Sequence, residues 1–365
     1  MKEKIVILKC DNYDENLVYE KLNNGIKLLN LKNIPNKILI KPNMLSARKP
    51  EKGVTTHPSV ISSLIKFFQN REIIIGDSPA NYFKSIEEYW EQCGYKKISE
   101  KYNIHLKKFE NSLFVEISIN DKNYKIPITS LIKDYYILNV PKFKTHNLTT
   151  LTLGVKNLYG LIPGITKSIL HSKFINPYDF SLFLVEFYKK IEDKIFLTVV
   201  DGIIGMEGEG PSSGTLRNFG YIIIGEKPIY VDYVCCLLAG ISPEKVDFIK
   251  IYKEKCKINE IEIIGDKFEK IKNFKLPSTK RYFFIKNKFL SKIISPVGKL
   301  FKIIPSINKK KCKRCYACVN ICPVKAISND LKFNRKKCIL CFCCFEVCLY
   351  KAVEVKKSFI ARFLT

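Results

Sequence analysis

No stretch of this chain approaches the roughly 18 consecutive apolar residues that a membrane-spanning helix needs. The N-terminus, Met1-Lys-Glu-Lys-Ile-Val-Ile-Leu8, carries no signal-peptide core ahead of what reads as a strand. Both absences predict a cytoplasmic protein. No Gly-x-x-x-x-Gly-Lys-Ser/Thr run occurs, and no Gly-x-Gly-x-x-Gly follows the first strand, which disfavours a nucleotide triphosphatase and a conventional dinucleotide fold. Acids are scarce: 35 Asp+Glu face 62 Lys+Arg, a formal +27 over 365 residues. A disordered basic tail is excluded, because 46% hydrophobic residues suffice for a substantial core in two or three domains. Genome bias toward Lys, Ile and Asn produces such a charge by itself, so +27 is not yet a binding signal.

What is present is uneven. Five cysteines (Cys10, Cys93, Cys235, Cys236, Cys256) are spread over the first 311 residues and nine crowd between Cys312 and Cys348. Thiols stay reduced in the cytoplasm, so short regular spacing points to metal before disulfides. Upstream, apolar runs rich in β-branched residues (5–9, 37–41, 72–76, 135–139, 196–200 and 221–225) alternate with helical spacing at 58–69, 85–102 and 178–192. This predicts an α/β fold, a mainly parallel sheet flanked by helices, followed by a small cysteine domain. The expected division is 1–270 for the α/β domain, 271–308 for a basic amphipathic linker, 309–352 for the cysteine domain and 353–365 for a tail. From Lys280 to Lys311 there are ten Lys/Arg and no acid, interleaved with apolar residues. That pattern fits a linker helix with snorkelling lysines or peripheral contact with an anionic membrane surface.

The nine cysteines form two blocks, Cys312-x2-Cys315-x2-Cys318-x3-Cys322-Pro323 and Cys338-x2-Cys341-x2-Cys344-x3-Cys348-Leu349. Three thiolates at this spacing take three corners of a cubane, and the fourth of each block ligates the other cluster. One [4Fe-4S] cluster is therefore assigned to Cys312, Cys315, Cys318 and Cys348, the other to Cys338, Cys341, Cys344 and Cys322. Zinc sites typically use separated Cys-x2-Cys pairs. The segment resembles the bacterial two-cluster ferredoxins over residues 309–352. Leu349, where the family has Pro, is expected to alter the turn without removing a ligand, and Cys343 is expected to pack as a small apolar residue.

Polar residues follow the predicted strands: Lys41-Pro42-Asn43, Gly76-Asp77-Ser78, Pro141-Lys142-Phe-Lys144-Thr-His146 and Asp201-Gly202. Carboxyl ends of parallel strands converge on one crevice, so Lys41, Asp77, Lys144, His146, Lys156 and Asp201 are the candidate catalytic set. His146 is the acid/base candidate, since imidazole titrates near neutrality. Lysines, hydroxyls and glycines from Lys142 to Gly164 suit a small anionic substrate. The glycine-rich run Asp201–Gly214 reads as a mobile flap. His57 is balanced between helix capping and function, and His105 and His171 are expected at the surface.

Lys41-Pro-Asn43, Thr56-His57-Pro58, Gly76-Asp77-Ser78, Pro141-Lys-Phe-Lys-Thr-His146, Gly154-Val-Lys156-Asn157-Leu-Tyr-Gly160, Asp201-Gly-x3-Met206-Glu-Gly-x-Gly-Pro211 and Pro228-x3-Asp232 jointly resemble the uncharacterised "domain of unknown function three-six-two" family, which often carries a ferredoxin domain. The resemblance covers about residues 1–265 and implies an α/β fold without a defined reaction. His146, Gly154-x-Lys156 and Pro163-Gly164 bear a fainter likeness to the nickel-pincer lactate racemases, where a His and a Lys before Pro-Gly serve the cofactor; the Lys156-to-Pro163 spacing is longer here and the nickel cofactor is not carried over.

The functional expectation is an iron-sulfur oxidoreductase passing electrons through two [4Fe-4S] clusters to or from a crevice substrate. An unidentified ligand or second metal in the α/β domain would accompany it. The competing expectation is a non-catalytic electron-transfer module docking a partner redox enzyme. A redox partner protein is expected under both. Nucleic-acid binding has no recognition signature to support it.

Overall fold

The computed structural model describes residues 2–79, 85–110, 112–278 and 303–357. The linker expected at 271–308 therefore lies largely outside the described residues. Strands β1 (Glu3–Lys9), β2 (Lys37–Pro42), β3 (Glu72–Asp77) and β4 (His105–Lys108) alternate with helices α1 (Glu15–Leu29), α2 (Pro58–Phe67), α3 (Ile86–Gln92) and α4 (Tyr95–Tyr102). The single helical stretch expected at 85–102 is two helices, because Gly94 takes φ +80 between them. A hairpin of β5 (Ser112–Ile119) and β6 (Lys122–Thr129) precedes β7 (Tyr136–Val140), β8 (Lys142–His146) and β9 (Thr150–Thr152). Then come α5 (Gly154–Leu158), α6 (Thr166–Lys173), α7 (Pro177–Ile191), β10 (Ile195–Glu207), β11 (Thr215–Gly225), α8 (Pro228–Leu238), α9 (Asp247–Lys255) and β12 (Ile261–Gly265).

The sheet runs β12-β1-β11-β10-β7-β2-β3-β4. With β8 and β9 off this path, its pairs are parallel except where β11 meets β1 and β10 and where β8 meets β9. The expectation of a mainly parallel α/β sheet holds. Ile38, Leu39 and Ile40 on β2 and Ile73, Ile74 and Ile75 on β3 are buried on alternate faces, which is why these strands read as unbroken apolar runs. Two cores result, one on each side of the sheet. Helix α1 starts where Asp14 accepts from the N–H groups of Asn16 and Leu17 and ends where Asn30 turns left-handed.

The glycine-rich run after Val200 departs from the expectation of a flap. β10 continues through Asp201 to Glu207, paired with β11 from Thr215 and with β8 at Asp201 and Met206. Only residues 208–214 form the connection. Glycine here lets strands pack closely: a Cβ on Gly205 would lie 1.9 Å from the Phe219 ring.

The cysteine-rich segment begins with β13 (Ile303–Ile307), which pairs antiparallel with β14 (Val353–Lys357). Strand pairing thus ties residues outside 309–352 to this segment. Between these strands lie helices α10 (Ala317–Asn320) and α11 (Cys343–Val347) over a small core that includes Cys318, Cys341, Cys344 and Cys348.

Candidate functional site

The two cysteine blocks fold alike. Arg314 and Tyr316, flanking Cys315, have φ 51 and 57; Leu340 and Phe342, flanking Cys341, have φ 57 and 60. Left-handed residues on both sides of one cysteine curl the backbone around its sulfur. After the fourth cysteine of each block, Lys325 and Lys351 take φ 49 and 51, and the N–H groups of Ala326 and Ala352 donate to Cys322 Sγ and Cys348 Sγ at 3.2 and 3.1 Å. Leu349 therefore leaves the turn as Pro323 has it, against expectation. The left-handed lysine and the N–H···S bond close the turn, and neither needs a proline ring.

A small cavity is lined by Cys312, Cys315, Cys318 and Cys348, the crossed set expected for one cluster. Cys344 lies near Cys338, Cys341 and Cys322 of the second expected set, and also near Cys318 of the first. Among the described residues no three His, Cys, Asp or Glu side chains converge on one ion. A cubane makes no such demand, since each of its four irons takes its own thiolate. The thiols fit the group on chemistry and grouping, and none is in a disulfide. The α/β crevice offers a second metal no ligand set among the described residues.

That crevice has a volume of about 100 Å³, room for a small molecule or several waters. Lys41, Asp77, Lys144, His146 and Lys156 line it, five of the six expected residues. Lys41 Nζ donates to Asp77 Oδ2 at 2.9 Å and to the Pro42 carbonyl. Gly160 makes room for this: a Cβ there would lie 2.5 Å from Lys41 Nζ. Lys144 Nζ donates to Asn43 Oδ1 at 2.7 Å and to the Val54 carbonyl. Asn43 donates on to Asn157, Asn157 to Asn139 and Asn139 to the Gly154 carbonyl, each at 2.9 or 3.0 Å. Asp232, from the last of the family motifs, accepts from the N–H groups of Gly154 and Val155 and so holds the start of α5, which presents Lys156. Lys156 Nζ lies 4.5 Å from the Tyr159 ring centre.

The sixth residue, Asp201, is elsewhere. Its oxygens accept from Tyr13 Oη, the His57 N–H and Lys142 Nζ at 2.7 to 2.8 Å, and Tyr13 stacks on His57 with ring centres 3.6 Å apart. Asp201 shares the face of Val199 and Ile203, which pack in the core containing α1 and α2, while Lys41 shares the face of Leu39 in the other core. Lys142 goes with Asp201. His57 caps α2 through Nδ1, which settles its open reading. His105 is exposed as expected; His171 is buried and lines the crevice, with Phe180 stacked on its ring at 4.4 Å.

The remaining wall comes from the cysteine-rich segment: Ile321, Cys343, Glu346 and Val347. Cys343 is buried, as expected, and lines the cavity alongside Glu346 and Lys156. Nδ1 of His146 accepts from the N–H groups of Leu148 and Thr149, so the ring proton of the neutral imidazole sits on Nε2, which faces Glu346 Oε1 at 3.1 Å. Burial pushes His146 down. Burial raises Glu346, but His146 and Lys156 beside it bring its carboxyl down to about 2, and it is ionised. Arg48 straddles the same seam, donating to the Ser212 carbonyl at 2.8 Å and the Cys348 carbonyl at 2.7 Å.

Lys167 joins the site without having been expected. Its Nζ donates to the Ser78 and Ile162 carbonyls and meets no carboxylate among the described residues, and burial lowers its pKa to about 7. Burial likewise lowers Lys41, Lys144 and Lys156. Four lysines and two carboxylates, Asp77 and Glu346, thus share the cavity, an excess of two positive charges when all are ionised. Lys167 and Glu346 left faint traces in the sequence. Lys167 closely follows Pro163-Gly164, and Glu346 is the one acid between Asp330 and Glu354.

A family model described as "Domain of unknown function (DUF362)" matches residues 38–237, more than half of the chain. The chain belongs to the DUF362 family. A "4Fe-4S binding domain" model matches residues 305–328, so this DUF362 member carries a ferredoxin-type iron-sulfur segment with an electron-transfer role. It is 26% identical over 253 residues to a thylakoid-associated protein of Synechocystis sp., covering 67% of this chain and 77% of that protein. Two solved structures align at 16% identity. One is a Thermotoga maritima protein (TM-score 0.42, 64% of this chain, 60% of that one). The other is the lactate racemase apoprotein of Thermoanaerobacterium thermosaccharolyticum (TM-score 0.43, 65% and 57%). The chain thus spans about three fifths of the length of these structural relatives. Among the described residues no helix is long and apolar enough to cross a membrane.

Proposed function

We propose that this DUF362 protein exchanges electrons, through two [4Fe-4S] clusters, with a small anion bound in the crevice. One observation carries the reading: the wall of the lysine-rich cavity is α11, the helix between ligands Cys341 and Cys348, with Glu346 against His146. Bound clusters would supply single electrons at the cavity's edge.

The chain's own residues do the rest. Among the described residues Lys144, Lys156 and Lys167 have no carboxylate partner in direct contact, and they offer their ammonium groups to the anion. The Asn43–Asn157–Asn139 chain fixes the direction of Lys144. His146, with its proton on Nε2, faces the ionised Glu346 carboxylate, which fixes the ring at the edge of the cavity. Asp77 keeps Lys41 in place from the far side. α11 and the 208–214 connection with Pro211 limit access of water.

The test is anaerobic purification followed by metal analysis and mass spectrometry of retained small molecules. About eight iron per chain and a co-purifying anion support the reading. Iron near four, or no anion bound by the wild type that Lys144→Met and Lys156→Met variants lose, counts against it.

A further inference from the structure

The two cluster sites differ in their surroundings. Cys341 and Cys344 are buried, and Cys341 is near enough for its charge to act on Tyr159 in the crevice wall. The other set has Cys315 exposed, with the rings of Tyr316 and Tyr350 39% and 45% exposed beside it in the same cavity lining. The charge around this outer site is mainly positive. Lys313 and Arg314 flank Cys315 and are exposed. Lys351 has Arg48, Lys52 and Lys311 as its charged neighbours, and burial together with these cations lowers its pKa. Of the acids nearest in sequence, Glu346 is turned into the crevice, Asp330 is paired with Lys332 and Glu354 with Lys311. Lys313, Arg314 and Lys351 remain beyond the paired Lys311, and such an excess of like charge raises the free energy of the isolated protein and is relieved by an anionic surface. Exposed tyrosines inside a charged rim match the anatomy of a transient interface, in which aromatic rings anchor and charge steers.

We propose that an acidic one-electron carrier protein docks on the face formed by Cys315, Tyr316 and Tyr350, within the rim of Lys313, Arg314, Lys311 and Lys351. Electrons then arrive at the site of Cys312, Cys315, Cys318 and Cys348 and leave from that of Cys322, Cys338, Cys341 and Cys344. In the transfer one electron leaves the carrier, which is oxidised by one unit, and the outer site is reduced by one; no atom or proton changes hands. The inward half of this path rests on the function proposed above, but the docking face does not.

The experiment therefore reads binding. Full-length, cluster-loaded protein is titrated with an oxidised, acidic [2Fe-2S] ferredoxin by calorimetry at low and at physiological salt. The dissociation constant is expected to weaken at least tenfold between the two. The double variant Lys313→Glu/Arg314→Glu, with iron content unchanged, is expected to weaken low-salt binding at least tenfold and to flatten the salt dependence. Tyr350→Ala should weaken binding while keeping the salt slope. A control, Lys122→Glu/Lys133→Glu on the β5–β6 hairpin and the turn after it, removes the same net charge and should change affinity less than twofold. No binding, salt-independent binding, or equal loss in both charge variants overturns the proposal. Normal binding with no crevice anion would instead keep the docking face and sink the crevice reading.

Discussion

Glu346, from α11, lies 3.1 Å from Nε2 of His146, at the end of a strand two hundred residues earlier. The contact makes one site out of two segments. Both side chains are largely out of water, so removing one partner strands the other. Glu346→Gln is expected to cost about 1–3 kcal/mol, the range for losing a buried hydrogen bond to a charged group. A double-mutant cycle with His146→Gln, read by chemical denaturation, should return a coupling energy above about 1 kcal/mol. Strict additivity would mean that the two side chains do not depend on each other.

Arg48 fastens the same seam by donating to carbonyls on either side of it. Arg48→Ala leaves two carbonyls unpaired at a cost of about 1–3 kcal/mol. The variant should lose cluster absorbance at a lower temperature than far-UV ellipticity, whereas the wild type loses both together. Coincident transitions in the variant would show that Arg48 is dispensable to docking.

Lys167 sets a pH dependence. Its folded-state pKa of about 7 lies below the value of about 10.4 for a free lysine, so between those limits the unfolded chain binds more protons. Its contribution to stability should therefore rise with pH from about 7 to about 10. A bound anion favours the ammonium form, so affinity should fall as pH climbs through 7, with proton uptake on binding visible as a buffer-dependent calorimetric heat. Lys167→Met should abolish that uptake.

Gly160→Ala probes the geometry around Lys41. The added methyl would sit 2.5 Å from Lys41 Nζ and 3.0 Å from Asp77 Oδ1. Overpacking of this kind costs about 1–3 kcal/mol. Anion affinity should fall at least tenfold while iron content is unchanged; unchanged affinity would separate Lys41 from the binding site.

Cys315 and Cys343 should behave oppositely on replacement by serine. Cys343→Ser is expected to keep about eight iron per chain, and Cys315→Ser to lose iron toward about four. Equal losses would place Cys343 among the ligands.

Much of this was legible in the sequence because strands buried on both faces leave unbroken apolar runs, and their carboxyl ends point one way. That rule brought Lys41, Asp77, Lys144 and His146 to one place. It failed at Asp201 because β10 does not end there; the strand runs on, and alternation turns Asp201 to the other face. His171 looked like a surface residue because α6 reverses the usual pattern. Its inner face carries Lys167, Ser168 and His171 toward the cavity, and Ile165 just before it and Ile169 stand exposed. Glu346 could not be placed from periodicity at all, since its role depends on how one segment docks on another.

The pairing of β1 has a consequence for how the chain is made. Its neighbours are β11, at Tyr221–Gly225, and β12, at Ile261–Gly265. As the chain is synthesised, β1 must therefore wait for more than two hundred further residues before either edge is covered. Sheets closed by such distant contacts assemble slowly and late. The lysine-lined cavity cannot exist until its final wall, α11, has been synthesised, so a ribosome-bound chain holds an unpaired strand but no finished site, and N-terminal fragments ending before residue 261 should aggregate rather than fold.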